Sequence, residues 1–284
     1  MDKSNLKIGI IGGSGIYSMD SISIIEQIDK DTPFGKPSGP VIKAQLKDAE
    51  LYFIARHGSG HTLLPHEINY RANIYALKSM GIKYIISITA VGSLQEQYPP
   101  GTFVLPGQYI DWTKGKRERT FFGNGIVAHV STANPIESQL QKIIFDFCRE
   151  NSFTCHRGGT YICIEGPQFS SKAESNLYRS MGADIIGMTN LPEAYLAKEA
   201  GIAYASLAMV TDYDCWRDKD ACVEDILKVM KETAKKAQHI IKGSILKIIE
   251  NPFNYPKENH LGLMTPIENL NPTQKEIATV IFDL

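Results

Sequence analysis

Apolar residues fall into two patterns that alternate along the chain. Short continuous runs at 7–11, 51–55, 84–89, 161–164, 185–188 and 203–210 are bounded by glycine or polar residues and read as strands buried on both faces. Between them lie segments with helical spacing. Ile68, Ala72, Tyr75 and Leu77 predict a helix over 65–80 that Gly81 stops, and Ile136, Leu140, Ile143, Ile144 and Phe147 predict one over 136–147. Residues 171–181 read as a helix closed by Gly182, and 192–200 as one with Pro192 near its start and Gly201 just past its end. A long amphipathic helix is expected over 224–250. Strands alternating with helices give an α/β fold. The stretch 101–122, richer in Gly, Pro and charge, reads as longer strands and loops. Residues 251–284 form a tail, too short for a domain, with a short helix expected over 272–282.

Composition narrows the class. The 284 residues are 43% hydrophobic and 21% charged, which is ordinary for a globular chain and excludes disorder. The net charge is −1, so nothing points to nucleic acid or an anionic membrane surface as partner. No apolar run approaches a membrane span, and the N-terminus has no basic region followed by an apolar stretch and a cleavage site. Cys148, Cys155, Cys163, Cys215 and Cys222 are odd in number and contain no CxxC, which reads as reduced, mostly buried thiols in a cytoplasmic protein.

Several familiar sites fail on spacing. Gly12-Gly13-Ser14-Gly15 does not give GxGxxG, there is no GxxxxGK[ST], and Ile16 breaks a GxSxG elbow. His57, His61 and His66 spread across a glycine-containing loop with no Asp or Cys to complete a metal site, so no metal is expected. What remains is a common character at the strand ends: Ser14, Arg56-His57, Thr89-Ala90, Glu165-Gly166, Met188-Thr189, and Asp212 with Asp214. Ligands of open α/β sheets sit outside the carboxyl ends of strands. Hydroxyls from Ser14, Thr89 and Thr189, bare backbone N–H groups in glycine turns, and the planar fork of Arg56 describe a site for one inorganic phosphate.

The same residues carry a resemblance. Gly12-Gly13-Ser14-Gly15, Ala55-Arg56-His57-Gly58, Asn69-Tyr70-Arg71-Ala72-Asn73, Thr89-Ala90-Val91-Gly92-Ser93-Leu94 and Ile164-Glu165-Gly166-Pro167-Gln168-Phe169-Ser170-Ser171 stand in order. They are followed by Gly187-Met188-Thr189, Pro192-Glu193, Leu196-Ala197-Lys198-Glu199-Ala200-Gly201 and Thr211-Asp212-Tyr213-Asp214-Cys215-Trp216. Over about residues 7–250 the chain resembles the S-methyl-5′-thioadenosine phosphorylases of the trimeric purine nucleoside phosphorylase superfamily. The resemblance implies a nucleoside-phosphorylase-like domain over 1–250, with a mixed central β-sheet flanked by α-helices, and a tail 251–284 of unassigned role. It implies a pentosyltransferase that converts methylthioadenosine and phosphate to adenine and 5-methylthioribose 1-phosphate, with phosphate as co-substrate and no cofactor. Ser14, Arg56, His57, Thr89, Ala90 and Thr189 would hold phosphate. Position 14 is often Thr in the family, and Ser keeps the hydroxyl. Met188 would lie along the ribose, Phe169 on the purine and Val223 in the alkylthio pocket. Ser170, Asp212 and Asp214 would serve the base, and His129 would reach a neighbouring subunit's pocket in a homotrimer, some family members being hexamers.

The chemistry fits these groups. Departure of the purine needs a proton or hydrogen bond at N7, and adenine offers an acceptor at N7 and a donor at N6. Two aspartates that share a proton supply both partners. Asp212 is assigned to N7 as the acid and Asp214 to N6, with the reverse order open. A 6-oxopurine would set an acceptor against a carboxylate, and related 6-oxopurine enzymes carry Asn in this region and Glu at the place of Ser170. The alternatives are a broader phosphorylase acting on 6-oxopurine nucleosides or methylthioinosine, a nucleosidase using water, and a non-catalytic purine- or NAD-binding protein.

Overall fold

A computed structural model describes residues 6–13, 22–217, 223–255 and 259–284, with the backbone alone at Val223. The first apolar run is β1 (Leu6–Gly12), which lies parallel to both β4 (Ala49–Ala55) and β5 (Tyr84–Ser93). Its alternate side chains serve opposite faces: Ile8 and Ile10 enter one core, Ile11 the other. Burial on both faces is why these strands read as unbroken apolar runs. Beyond β4, β3 (Val41–Leu46) and the exposed edge strand β2 (Ser23–Ile28) pair antiparallel, so one end of the sheet is a meander. On its other side β5 pairs parallel with β11 (Ala203–Asp212), which also meets β6 (Phe103–Leu105), itself paired with β8 (Cys155–Arg157). The tip of β5 turns to pair antiparallel with β10 (Ile185–Gly187), followed by β9 (Thr160–Ile164) and β7 (Gln108–Trp112). The fold is therefore α/β with a mixed central sheet.

Helices cover both faces. On one side lie α1 (Tyr70–Ser79), α4 (Asn190–Glu199) and α6 (Pro272–Phe282), through Ile74, Leu77, Leu196 and Ile281. On the other lie α2 (Ser138–Glu150) and α5 (Val223–Glu250), through Leu140, Ile144, Ile241 and Ile245. A shorter helix, α3 (Lys172–Ser180), is opened by Ser171 and Glu174 in a reciprocal capping box and borders a third small core with Tyr178. The first helix begins five residues later than its apolar spacing predicts. Asn69 caps it, its Oδ1 accepting from the Ala72 N–H at 3.1 Å, while its Nδ2 donates to the Phe34 carbonyl at 2.7 Å. The segment before it stays in turns and carries the histidine loop.

The tail is built into the fold. Ile277, Ala278, Ile281 and Phe282 of α6 are buried in the main core, and Phe282 stacks on Phe122 with centroids 5.4 Å apart. Before α6, residues 262–264 are zipped onto 127–129. The His129 N–H donates to the Gly262 carbonyl at 2.9 Å and the Met264 N–H to the Val127 carbonyl at 2.8 Å. A side chain at Gly262 would collide with the His129 carbonyl, so only glycine permits this approach. Among the described residues, no helix is long and apolar enough to cross a membrane and no cluster of His, Cys, Asp or Glu could hold a metal.

Candidate active site

The strand β5 changes partners along its length, and this opens the site. Residues Tyr84–Ser87 are held by β1, and Gly92 and Ser93 by β10. Ile88, Thr89, Ala90 and Val91 lie between these pairings and line a cavity of about 700 Å³. The carboxyl ends of β1, β4 and β11 deliver Gly13, Arg56 with His57, and Thr211 with Asp212 to the same space. The cavity is closed by Phe169, Ser170, Met188, Thr189 and Asp214, and along one flank by Ile226, Met230 and Ala234 of α5.

Arg56 is only 2% exposed, and its fork grips the protein itself. Nε donates to Glu193 Oε2 at 2.7 Å, and Nη2 to Glu193 Oε1 at 2.9 Å and to Ser87 Oγ at 2.7 Å. Nη1 donates to the Ile88 carbonyl at 2.9 Å. A guanidinium carries five N–H bonds, so one Nη1 hydrogen keeps no partner among the described residues. The sequence-based expectation of a fork turned toward an oxyanion is corrected here: Arg56 offers a single N–H and a charge held in place by Glu193. Burial alone would lower the Arg56 pKa, but the Glu193 charge and hydrogen bond raise it above its ordinary value. Glu193 also accepts from the Tyr204 hydroxyl at 2.9 Å, and Asn190 Nδ2 donates to that hydroxyl at 3.0 Å.

His57 follows directly. Its Nδ1 lies 2.8 Å from the Leu63 carbonyl, and its ring stacks on His61 with centroids 4.1 Å apart. Burial pushes its pKa down to about 4, with the Arg56 charge adding to the effect and the Leu63 carbonyl opposing it. Thr89 and Thr189 are buried with their hydroxyl oxygens 3.3 Å apart. Ala90 lies beside them, half-buried.

At the other end of the cavity a bulge in β11 and a left-handed backbone at Asp214 (φ +45°) set two carboxyls close together. Asp212 Oδ1 accepts from the Thr211 hydroxyl at 2.7 Å, and Oδ2 from the Asp214 N–H at 2.9 Å. Burial raises the pKa of both aspartates above the usual carboxylate range. Asp214 Oδ2, Ser170 Oγ and Ser175 Oγ are buried near one another, the two hydroxyls opposing the rise in the Asp214 pKa, yet none of the three atoms completes a well-formed hydrogen bond among the described residues. Polar atoms in this state mark a place a polar ligand completes. The Ser170 carbonyl accepts from Cys215 Sγ at 3.0 Å, and Phe169 stands at the mouth, 63% exposed.

The expected residues Arg56, His57, Thr89, Ala90, Thr189, Phe169, Ser170, Met188, Asp212 and Asp214 thus line one cavity. Ser14 and the side chain of Val223 lie outside the described residues. His129 is exposed and does not line the cavity of its own chain. Two buried ion pairs escaped the sequence reading. Glu193 stands in the quoted Pro192-Glu193 pair, and a carboxylate inside an apolar helix is itself a sign of a buried cation. Arg117 binds Glu165 Oε1 at 2.8 Å and the carbonyls of Met188 and Leu191 at 2.6 and 2.7 Å, tying the ends of β9 and β10 together. Nothing in the 101–122 stretch singled it out.

The model of the phosphorylase superfamily matches residues 7–246. This chain belongs to the phosphorylase superfamily. The phosphorylase is 49% identical over 243 residues to the S-methyl-5′-thioadenosine phosphorylase of Geobacter sulfurreducens, covering 85% of each chain. It is 47% identical over 277 residues to that of Thermosynechococcus vestitus, covering 95% and 96%. Among solved structures it superposes on a methylthioadenosine phosphorylase from an Antarctic soil metagenomic library with a TM-score of 0.92 at 43% identity, over 98% and 99% of the two chains. The Schistosoma mansoni methylthioadenosine phosphorylase in complex with adenine matches at 0.81 and 36%, over 86% and 92%. The similarity to the first structure extends through the tail, beyond the 7–250 stretch over which the sequence motifs run.

Proposed function

We propose that this phosphorylase cleaves S-methyl-5′-thioadenosine with inorganic phosphate, giving adenine and 5-methylthioribose 1-phosphate, a pentosyl transfer of purine and methionine salvage. One cavity joins three kinds of wall, and this carries the assignment: hydroxyls and a buried cation at the ends of β4 and β5, two aspartates at the end of β11, and an apolar flank from α5. The relatives that bear this activity in their names, and the adenine held by the Schistosoma enzyme, support it.

Ser14, Arg56, His57, Thr89, Ala90 and Thr189 hold phosphate beside the anomeric carbon. Met188 flanks the ribose, Phe169 covers the purine, and Val223 lines the methylthio pocket. As a phosphate oxygen bonds to C1′, the bond to N9 breaks with its electrons moving onto the purine. Asp212, kept above the ordinary carboxylate pKa by burial, gives its proton to N7. Asp214 Oδ2, which makes no well-formed hydrogen bond among the described residues, accepts from the adenine N6–H, and Ser170 adds a hydroxyl. Alignment of the reactants contributes up to ~7–11 kcal/mol of barrier reduction in the best cases. A 6-oxopurine leaves the Asp214 oxygen facing an acceptor, a mismatch of ~1–3 kcal/mol.

A homotrimer and a cytoplasmic location complete the proposal. Exposed His129, held rigidly by the tail yet away from its own cavity, fits a role in a neighbour's site. Release of adenine from methylthioadenosine, followed with and without phosphate, tests the function. Phosphate-dependent release is expected. Release without phosphate would make the protein a nucleosidase, and equal cleavage of inosine would make it a broad phosphorylase.

A further inference from the structure

Two strands that run side by side stop pairing at the edge of the cavity, and one side chain takes over from the ladder. β9 and β10 are paired up to Cys163 and Gly187. Ile164 and Met188, the next residue on each, line the cavity. The Arg117 guanidinium, its side chain only 1% exposed, bridges the two chains at this point. Nη2 donates to the carbonyls of Glu165 and Ile164 at 2.8 and 3.3 Å, and Nη1 to those of Met188 and Leu191 at 2.6 and 2.7 Å. Nε donates to Glu165 Oε1 at 2.8 Å, and the other oxygen of Glu165 accepts from the Lys114 N–H at 2.7 Å. All five N–H bonds of the fork are thereby used on the protein, and Arg117 does not line the cavity. Whatever it does for a ligand it does through the residues it holds.

The Met188–Thr189 peptide is held from both sides. Its carbonyl accepts from Arg117, and its N–H, on Thr189, donates to the Tyr161 hydroxyl at 3.4 Å. The peptide is trans, so these two groups point in opposite directions, and the plane cannot rotate without breaking one of the bonds. Two glycines admit the contacts. A Cβ at Gly187 would lie 2.0 Å from the Tyr161 hydroxyl, and a Cβ at Gly166 (φ +66°) would lie 2.5 Å from Met188 Sδ. Tyr161 is itself fully buried, its ring 5.5 Å from that of Tyr109.

We infer that Arg117 and Tyr161 are positioning residues that clamp this peptide and so set how ribose and phosphate stand to one another. This rests on the placement of ribose at Met188 and phosphate at Thr189. The two residues are chain neighbours, so the peptide between them relates the nucleoside wall to the anion corner. Attack of a phosphate oxygen on C1′ depends on that relation, whereas binding of either reactant alone depends on one side of it. Loosening the clamp therefore slows the chemical step and leaves each reactant's own affinity in place. Lysine cannot replace the arginine, because its N–H bonds leave from one atom and cannot span four carbonyls and a carboxylate.

Single-turnover adenine release from methylthioadenosine by the full chain, with both reactants saturating, tests this in Arg117→Lys and Tyr161→Phe. The first variant keeps a charge beside Glu165, and the second keeps the buried ring. Sites are counted by equilibrium binding of methylthioadenosine without phosphate. A misplacement of about 1 Å can cost about a hundredfold, so the rate per site is expected to fall about tenfold to a hundredfold in Arg117→Lys and about threefold to tenfold in Tyr161→Phe. The Kd for methylthioadenosine alone and that for phosphate alone stay within about threefold of wild type, because binding common to ground and transition states is kept. A role in folding alone would lower the number of sites and the denaturation midpoint and leave the rate per site unchanged. That result, or a loss confined to the Kd values, overturns the inference. A wild-type rate in Tyr161→Phe overturns it even where Arg117→Lys yields no folded protein. Adenine release by the wild-type chain that needs no phosphate instead removes the placement of phosphate at Thr189, the reading on which the inference rests.

Discussion

Glu193 decides what Arg56 can do. The arginine brings a buried cation to the phosphate corner, yet its fork is committed to a carboxylate from α4, 137 residues away in sequence. Removing one partner of a buried pair leaves an uncompensated charge, so Glu193→Ala should lose about 3–5 kcal/mol of stability in denaturant titration. The freed guanidinium should also raise the KM for phosphate more than that for the nucleoside. An unchanged denaturation midpoint would show that the pair is not formed. The aspartates make a separate prediction. Asp212→Asn should lower turnover with methylthioadenosine by about 10²–10⁴, the usual span for a lost general acid. Because the acid must be protonated, wild-type kcat should fall as pH rises through its raised pKa, and the variant's profile should be flat there. Asp214→Ala should act mainly on nucleoside KM. Reversed outcomes for the two variants would exchange their roles. These hydroxyls and carboxylates were legible in the sequence because strand ends in α/β sheets collect ligand contacts. The commitment of Arg56 and the hydrogen bond that fixes His57 were not, because Glu193 and the Leu63 carbonyl come to them only through folding.

Elements with strong periodicity were legible to within a few residues, and the exceptions have physical causes. The start of α1 was missed because Asn69, a better cap than anything before it, overrides the apolar spacing that continues back to Ile68. The edge strand β2, exposed along nearly its whole length, has no buried face to show as alternation. The short strands β6, β7 and β8 lie in or near the segment rich in glycine and charge, and their order is imposed by pairing with longer neighbours. The helix α6 was expected, but its docking was not, since its apolar face fits α1 and Phe122 only in three dimensions. Phe282→Ala removes a ring that is buried and stacked, and it should cost about 3–5 kcal/mol, read as a lowered denaturation midpoint. A loss under about 1 kcal/mol would mean that the tail is not part of the cooperative core.

At the scale of the whole molecule, the tail and residues 127–129 form a surface from which Val127, Leu261 and Met264 project, exposed by 51%, 68% and 57%. Single exposed apolar residues need no explanation, but a cluster flanking His129 fits burial against another copy. Sedimentation at working concentration should give a trimer or a multiple of it, and diluting to monomer should abolish activity. A fully active monomer would remove His129 from the site. The docking of α6 also bears on how the protein comes into being. Tyr75 and Lys78 of α1 meet Glu276 and Asp283 over sequence separations of 201 and 205. Translation proceeds at roughly 5–20 residues per second, so the first helix emerges many seconds before its partner exists. During that interval the face that receives Ile281 and Phe282 is apolar and open. Completion of the core therefore waits until residues 272–282 have been made and have left the ribosome, and until then the nascent chain presents an apolar face to chaperones.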